Sequence, residues 1–276
     1  MNWSPTSGLS QVKDMSEAST TKKKLIVKIG SSTLTAGSNR ISRGKIEDIA
    51  RQLLILQKNY DVALVSSGAI ATAKHFIEVN QWNKSTSRQA LAAIGQPILM
   101  QIYNEIFRDF GLKSAQCLVT YRDFDNEEAR DNILTTLNDL FSNGFIPIIN
   151  ENDTIAIDEL VFGDNDKLSA YVARLLNVDL LILASDIDGL FDKNPQKHTD
   201  AVLMETVNNI SSVKKHIDEF SDENRQGTGG MTSKIMAAEI CSSKKIETWI
   251  VNGGNNNFIL NSINKHTAHT RFVFSP

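Results

Sequence analysis

Four short runs in this chain, residues 25–29, 62–65, 145–149 and 179–184, are apolar almost throughout rather than at every second position. Strands of that kind are buried on both faces, which is the situation inside a parallel sheet covered by helices on each side. Segments with helical spacing lie between them. Ile46, Ile49, Leu53, Leu54 and Leu56 fall roughly on one helical face, as do Ile133, Leu137, Leu140 and Phe141. Further helices are predicted over 88–110, 167–176, 209–220 and 232–243, and short strands over 116–119 and 248–251. Gly95 and Pro97 predict a break or fresh start within the 88–110 region. The alternation implies an α/β fold with a mainly parallel central sheet. There is no sign of internal repeats or low-complexity segments.

A chain of 276 residues can bury a full core. Its net charge of −3 provides no basic field to draw it to nucleic acid or an anionic membrane. No apolar stretch approaches the ~20 residues that span a bilayer. Cys117 and Cys241 lack CxxC spacing and read as reduced, buried thiols of a cytoplasmic protein. Residues 1–23 are polar and lack the apolar core of a secretory signal, and so read as a disordered N-terminal tail.

In open parallel sheets, ligands bind beyond the carboxyl ends of the strands. The suggestive residues of this chain cluster there. Gly30, Ser31 and Ser32 follow the first strand, and Ser66, Ser67 and Gly68 the second. Asn150 to Asp153 follow the strand at 145–149, and Ser185 and Asp186 the Leu-rich strand. All four groups are expected to share one crevice. Asn and Asp also favour turns and helix caps for local reasons, so one such cluster alone would be a plain turn. Two clusters, NEND at 150–153 and GDND at 163–166, favour a ligand site.

Lys28 is the only charge in an otherwise apolar strand and is costly there unless its ammonium finds a partner. An edge-strand lysine reaching water is the plain alternative. With Gly30 to Ser32 after it, the stronger reading is a backbone anion nest beside a positive charge. GTGGMTSK at 227–234 fits neither GxxxxGK[ST] nor GxGxxG. It does open a helix, whose N-terminal dipole favours phosphate, with Lys234 in the first turn. Two lysines, two glycine turns and carboxylates are the equipment of phosphoryl transfer, which relies on positioning and charge neutralisation. Asp166 is predicted to lie between the two lysines and orient both, with a possible contact to magnesium; Asp164 is less central. Asp153, Asn150 and Asn165 are candidates to hold a polar substrate by its amino and carboxylate groups. Ser67 and Gly68 offer donors to a carboxylate.

The combination of VKIGS at 27–31, VSSGAI at 65–70, AAIGQ at 92–96, INEND at 149–153, FGDND at 162–166, Ser185-Asp186 and GTGGMTSK at 227–234 resembles the glutamate 5-kinases of the amino acid kinase family. The resemblance runs from about residue 24 to 251 and is weaker over the last 25 residues. It implies a three-layer αβα sandwich, with residues 24–276 as an amino acid kinase domain. It also implies ATP-dependent phosphorylation of the γ-carboxylate of L-glutamate, the first step toward proline, with Mg²⁺ accompanying ATP. On this resemblance Lys28 and Lys234 contact the phosphates and Asp166 organises them. Ser67, Gly68, Asp153 and Asn165 bind glutamate, with Asn150 nearby. Gly30, Ser185, Asp186, Thr228, Gly229, Gly230, Met231, Thr232, Ser233 and Lys234 form the nucleotide site with Lys28. Proline as feedback inhibitor, a homo-oligomer and hand-off of the acyl phosphate to glutamyl phosphate reductase are further implications.

Ser31 and Ser185 stand where Thr is common in that family, a swap that keeps the hydroxyl. Many members carry an additional C-terminal PUA domain, for which 276 residues leave no room, so tetramer formation and the strength of proline control are in question. Rival readings are a relative acting on acetylglutamate, aspartate, carbamate or UMP, and a catalytically silent regulator. Retention of Lys28, Asp166 and Lys234 speaks against the second. His266 and His269 lack further ligands at metal spacing and read as solvated tail residues.

Overall fold

The computed structural model describes residues 22–76, 88–156, 165–213 and 230–274. Residues 1–21 of the expected tail, the start of GDND with Asp164, part of the helix expected at 209–220, and Thr228 and Gly229 lie outside these residues, whereas Lys23, expected in the tail, opens the first strand.

Eight strands form one sheet: β1 (Lys23–Ile29), β2 (Tyr60–Ser66), β3 (Lys113–Val119), β4 (Phe145–Glu151), β5 (Leu180–Ser185), β6 (Thr206–Val207), β7 (Glu247–Asn252) and β8 (Thr270–Phe272), in the order β3-β4-β2-β1-β5-β7-β8-β6. All pairings are parallel except β7 with β8. The helices are α1 (Ser31–Thr35), α2 (Arg43–Leu56), α3 (Ala69–Phe76), α4 (Arg88–Asp109), α5 (Glu127–Ser142), α6 (Asn165–Leu176), α7 (Met231–Ser242) and α8 (Phe258–Ile263).

The period-2 pleat sorts the apolar strands into two layers. Leu25, Val27 and Ile29 of β1, Leu64 of β2 and Ile182 of β5 pack with Ile46, Ile49 and Leu53 of α2 and Tyr103 and Phe107 of α4. Their neighbours Ile26, Val65 and Leu183 face the other way, against Leu168 and Val172 of α6 and Ala237 and Cys241 of α7. Helices on both faces of a mainly parallel sheet give the expected αβα sandwich. A smaller cluster, including Leu190, Ile235, Ile250 and Phe272, seals the β8 end. None of the described helices is long and apolar enough to cross a membrane.

Several expectations differ from the structure. The region from 88 to 110 does not break: α4 is continuous from Arg88 to Asp109 with Pro97 inside it. Gly95 is there for close approach, since a β-carbon on it would collide with the backbone of Ala69 at the start of α3. Leu54, placed on the apolar face of α2, is 39% exposed while its neighbour Leu53 is fully buried. His269 is buried rather than solvated, its ring tilted 40° against that of Trp249 at a centroid distance of 4.7 Å and its Nδ1 2.9 Å from the Thr267 carbonyl. Both cysteines are free; Cys241 is buried, which pushes its thiol up to about 11, but Cys117, expected to be buried, is only half-buried on β3.

Candidate active site

Strand alternation decides where Lys28 points. It shares its face with Ile26, toward α6 and α7, and its strand is the fourth of eight rather than an edge. Its Nζ lies 2.6 Å from Oδ1 of Asp166, in the first turn of α6. The second oxygen, Oδ2, accepts from Lys234 Nζ of α7 at 3.0 Å and from Ser233 Oγ at 3.2 Å. All three charged side chains are buried, and Asp166 is fully so. Burial alone would raise the Asp166 pKa, but the two lysines outweigh it and hold the carboxyl below its ordinary value. Two buried ammonium groups therefore share one carboxylate beneath the crevice, and both lysines line it.

That crevice encloses about 710 Å³ at the carboxyl ends of β1, β2, β4 and β5. Sheet order gives it a direction. Over β2 and β4 lie Ser67, Gly68, Asn150, Asp153 and Asn165; over β5 and the start of α7 lie Ser185, Asp186, Gly230 and Met231; Lys28 and Lys234 sit between the two groups. Gly30 lines it as well.

The half over β2 and β4 is held by a chain of amides. Asn165 Nδ2 donates to Ser67 Oγ and Asn150 Oδ1, each at 2.9 Å. Asn150 Nδ2 donates to Gln96 Oε1 at 2.9 Å, and Gln96 Nε2 to Gln116 Oε1 at 3.2 Å. Gln96 thus ties α4 to β4 and Gln116 extends the chain to β3. Asn150, Asn165 and Gln96 are buried, Gln116 is exposed, and the buried Asn165 Oδ1 has no hydrogen-bond partner among the described residues. Beneath it, the Ser66 hydroxyl and the buried Tyr103 phenol lie 2.9 Å apart. Gly68 adopts φ +109°, open to glycine at little cost, and a β-carbon there would meet the side chains of Leu34, Ile41 and Leu99. Burial raises the pKa of Asp153, and the nearby charge of Arg88 opposes the rise.

Chain comparison places this geometry among known proteins. The sequence profile described as the amino acid kinase family matches residues 23–252. A glutamate 5-kinase of Clostridium acetobutylicum is 41% identical over 252 residues, covering 91% of this chain and 94% of that one. The chain belongs to the glutamate 5-kinases of the amino acid kinase family. The glutamate 5-kinase of Lactococcus lactis is 43% identical over 237 residues, covering 84% of this chain and 87% of its own. Among solved structures, carbamate kinase from Giardia lamblia bound to AMP-PNP shares the fold. Its TM-score is 0.65, at 13% identity over 92% of this chain and 99% of that one.

Of the glutamate 5-kinase positions expected from the motifs, Asp166 lies behind the lysines rather than in the crevice wall. Ser233 reaches Asp166 from α7, whereas Thr232 is not among the lining residues. Lys74 of α3 and Arg88 of α4 line the crevice and were not anticipated. Lys74 is six residues beyond Gly68 and looks on paper like an ordinary helix-end lysine; Arg88 carries no motif. Gln96 sits inside AAIGQ, so its place in a quoted motif was the available signal.

Proposed function

We propose that this protein transfers the γ-phosphoryl group of ATP to the γ-carboxylate of L-glutamate, forming L-glutamyl 5-phosphate and ADP. The observation that carries the reading is the pair of buried ammonium groups on the single Asp166 carboxylate. Both lysines line the crevice, where their charges can meet the oxygens of a phosphoryl group in flight.

The nucleophile, a carboxylate with an ordinary pKa near 4.3, is already ionised at neutral pH, so no general base is needed. One of its oxygens attacks the γ-phosphorus, the bond from phosphorus to the β,γ-bridging oxygen breaks, and ADP carries away the electron pair. Lys28 and Lys234 stabilise the charge on the equatorial oxygens, their buried, fixed charges acting more strongly than they would in water. Asp166 positions both ammonium groups through its two oxygens. Glutamate lies over β2 and β4, its ammonium on Asp153 and its carboxylates within reach of Ser67, Gly68 and Asn165; Asn150 acts by orienting Asn165. ATP lies over β5 and the N-terminus of α7, near Gly30, Ser185, Asp186, Gly230 and Met231; the family resemblance adds Thr228, Gly229, Thr232 and Ser233 to this site. The expected Mg²⁺ enters as the counter-ion of the nucleotide. Both Asp166 oxygens are engaged by lysines, so Asp166 is not offered as its ligand.

The family resemblance carries the rest of the proposal: proline biosynthesis with proline as feedback inhibitor, a homo-oligomer, a cytoplasmic location, and delivery of the acyl phosphate to a reductase. The test is ATP- and Mg²⁺-dependent acyl phosphate formation, trapped with hydroxylamine, on glutamate, acetylglutamate, aspartate and a blank. Hydroxamate from glutamate alone is expected. Hydroxamate from acetylglutamate or aspartate instead, or from no acid at all, would contradict the reading.

A further inference from the structure

We infer that Lys74 and Arg88 form a cationic clamp for the α-carboxylate, the group that distinguishes a dicarboxylic amino acid from a simple ω-amino acid. This rests on the proposed glutamate reading of the same crevice.

Among the described residues, four cationic side chains line the crevice: Lys28, Lys234, Lys74 and Arg88. The first two meet at Asp166 and serve the phosphoryl group. The second pair arises from different elements. Lys74 lies in the last turn of α3, the helix that starts directly after Ser67 and Gly68, and Arg88 is the first residue of α4. The two helices are held together tightly, since Gly95 of α4 leaves no room for a side chain against Ala69 and Ala73 of α3. Both cations thus belong to the half of the crevice over β2 and β4, where Asp153 also lies.

The wall also carries the carboxylates of Glu151 and Asp186, so the placement of the acid turns on where each cation stands. Glutamate has two carboxylates and one ammonium. One carboxylate must point at the phosphoryl centre and the ammonium suits Asp153. The remaining carboxylate needs a cation outside the central pair, and Lys74 and Arg88 supply it. Arg88 has a second effect, since its charge opposes the burial that would neutralise Asp153. Both side chains are exposed in the unliganded wall, so they can swing onto an arriving carboxylate without breaking a buried contact. A planar guanidinium is well shaped for a carboxylate, and an ammonium beside it adds a point charge.

The clamp residues are positioning and specificity residues; neither touches the transferring phosphorus. The experiment is steady-state kinetics on the full chain with glutamate and ATP varied separately, for Lys74→Met, Arg88→Met and the conservative Lys74→Arg. For each Met variant the glutamate KM should rise by about ten- to a hundredfold, the range of one charge-assisted hydrogen bond. The kcat and the ATP KM should stay within about threefold, and Lys74→Arg should recover most of the glutamate affinity. Folding of each variant is checked by circular dichroism. An unchanged glutamate KM in both folded Met variants would overturn the clamp, as would a loss confined to kcat or shared equally by ATP. Wild-type enzyme that makes no acyl phosphate from glutamate would instead overturn the underlying function.

Discussion

Gly95 on α4 lies against the backbone of Ala69, the first residue of α3, so closely that a β-carbon at 95 would overlap the Ala69 carbonyl. Gly95→Ala must therefore push α3 away from α4, and α3 begins one residue after Gly68 in the crevice wall. Overpacking of this kind costs about 1–3 kcal/mol. We expect an unfolding free energy from urea denaturation lowered by that amount together with a raised glutamate KM, since Ser67 and Gly68 move with the helix. A free energy and KM equal to wild type would show that the helices separate freely.

Gln52 of α2 is wholly buried, and its Oε1 accepts from the backbone N–H groups of Ile259 at 2.8 Å and Leu260 at 3.2 Å, in the first turn of α8. Its Nε2 donates to the Asp48 carboxylate at 2.9 Å. Helix starts leave donors unpaired, and here a side chain from another helix supplies the acceptor. Gln52→Leu keeps the bulk but strands those donors, at a cost of about 2–3 kcal/mol. Equilibrium denaturation should show the loss, while kcat in the folded variant stays at the wild-type value.

The sheet core and the crevice were legible in the sequence because buried parallel strands announce themselves as apolar runs, and because ligand residues must follow their ends. Asp166 between two lysines was legible for a similar reason, since two cations in buried positions require an anion. Other features leave no periodic trace. β6 and β8 span two and three residues, too short for any pattern, and their place in the sheet comes from pairing with distant segments. Gly95 reads as a helix breaker in one dimension and as a contact point in three. His269 is buried by a Trp249 ring twenty residues away in sequence, and Lys74 and Arg88 become crevice residues through the packing of α3 and α4.

The Asp166 pKa is held down in the folded protein by Lys28 and Lys234 against the effect of burial. A carboxyl with a depressed folded pKa adds stability that is fully present above its unfolded value of about 3.9. That stability is lost as the pH falls through the lower folded value. Asp166→Asn leaves two buried ammonium groups facing a neutral amide, so it should cost about 3–5 kcal/mol at pH 7. The difference between wild type and variant should shrink as the pH drops from about 4 toward 2. Urea denaturation across that range measures it, and a constant difference would contradict the ion-pair account.

Asp153 has the opposite tendency, because burial raises its pKa and Arg88 only partly counters it. If its carboxylate holds the substrate ammonium, glutamate affinity must weaken on acidification at a pH above the ordinary aspartate value of about 3.9. The glutamate KM should climb on the acid side while the ATP KM climbs less. Asp153→Asn should start from a high KM and lose most of this pH dependence. An identical acid limb in the variant would assign the titration to another group.

The measurement that bears most directly on the central claim is the turnover of Lys234→Met at saturating glutamate and ATP, set beside the dissociation constant of ATP for the same folded variant. Lys234 is proposed to act mainly on charge that develops as the phosphoryl group moves. Its loss should lower kcat by about a hundred- to a thousandfold, while ATP affinity changes by less than about tenfold. A kcat within about threefold of wild type would contradict the account and remove the buried Lys28–Asp166–Lys234 arrangement from the chemistry.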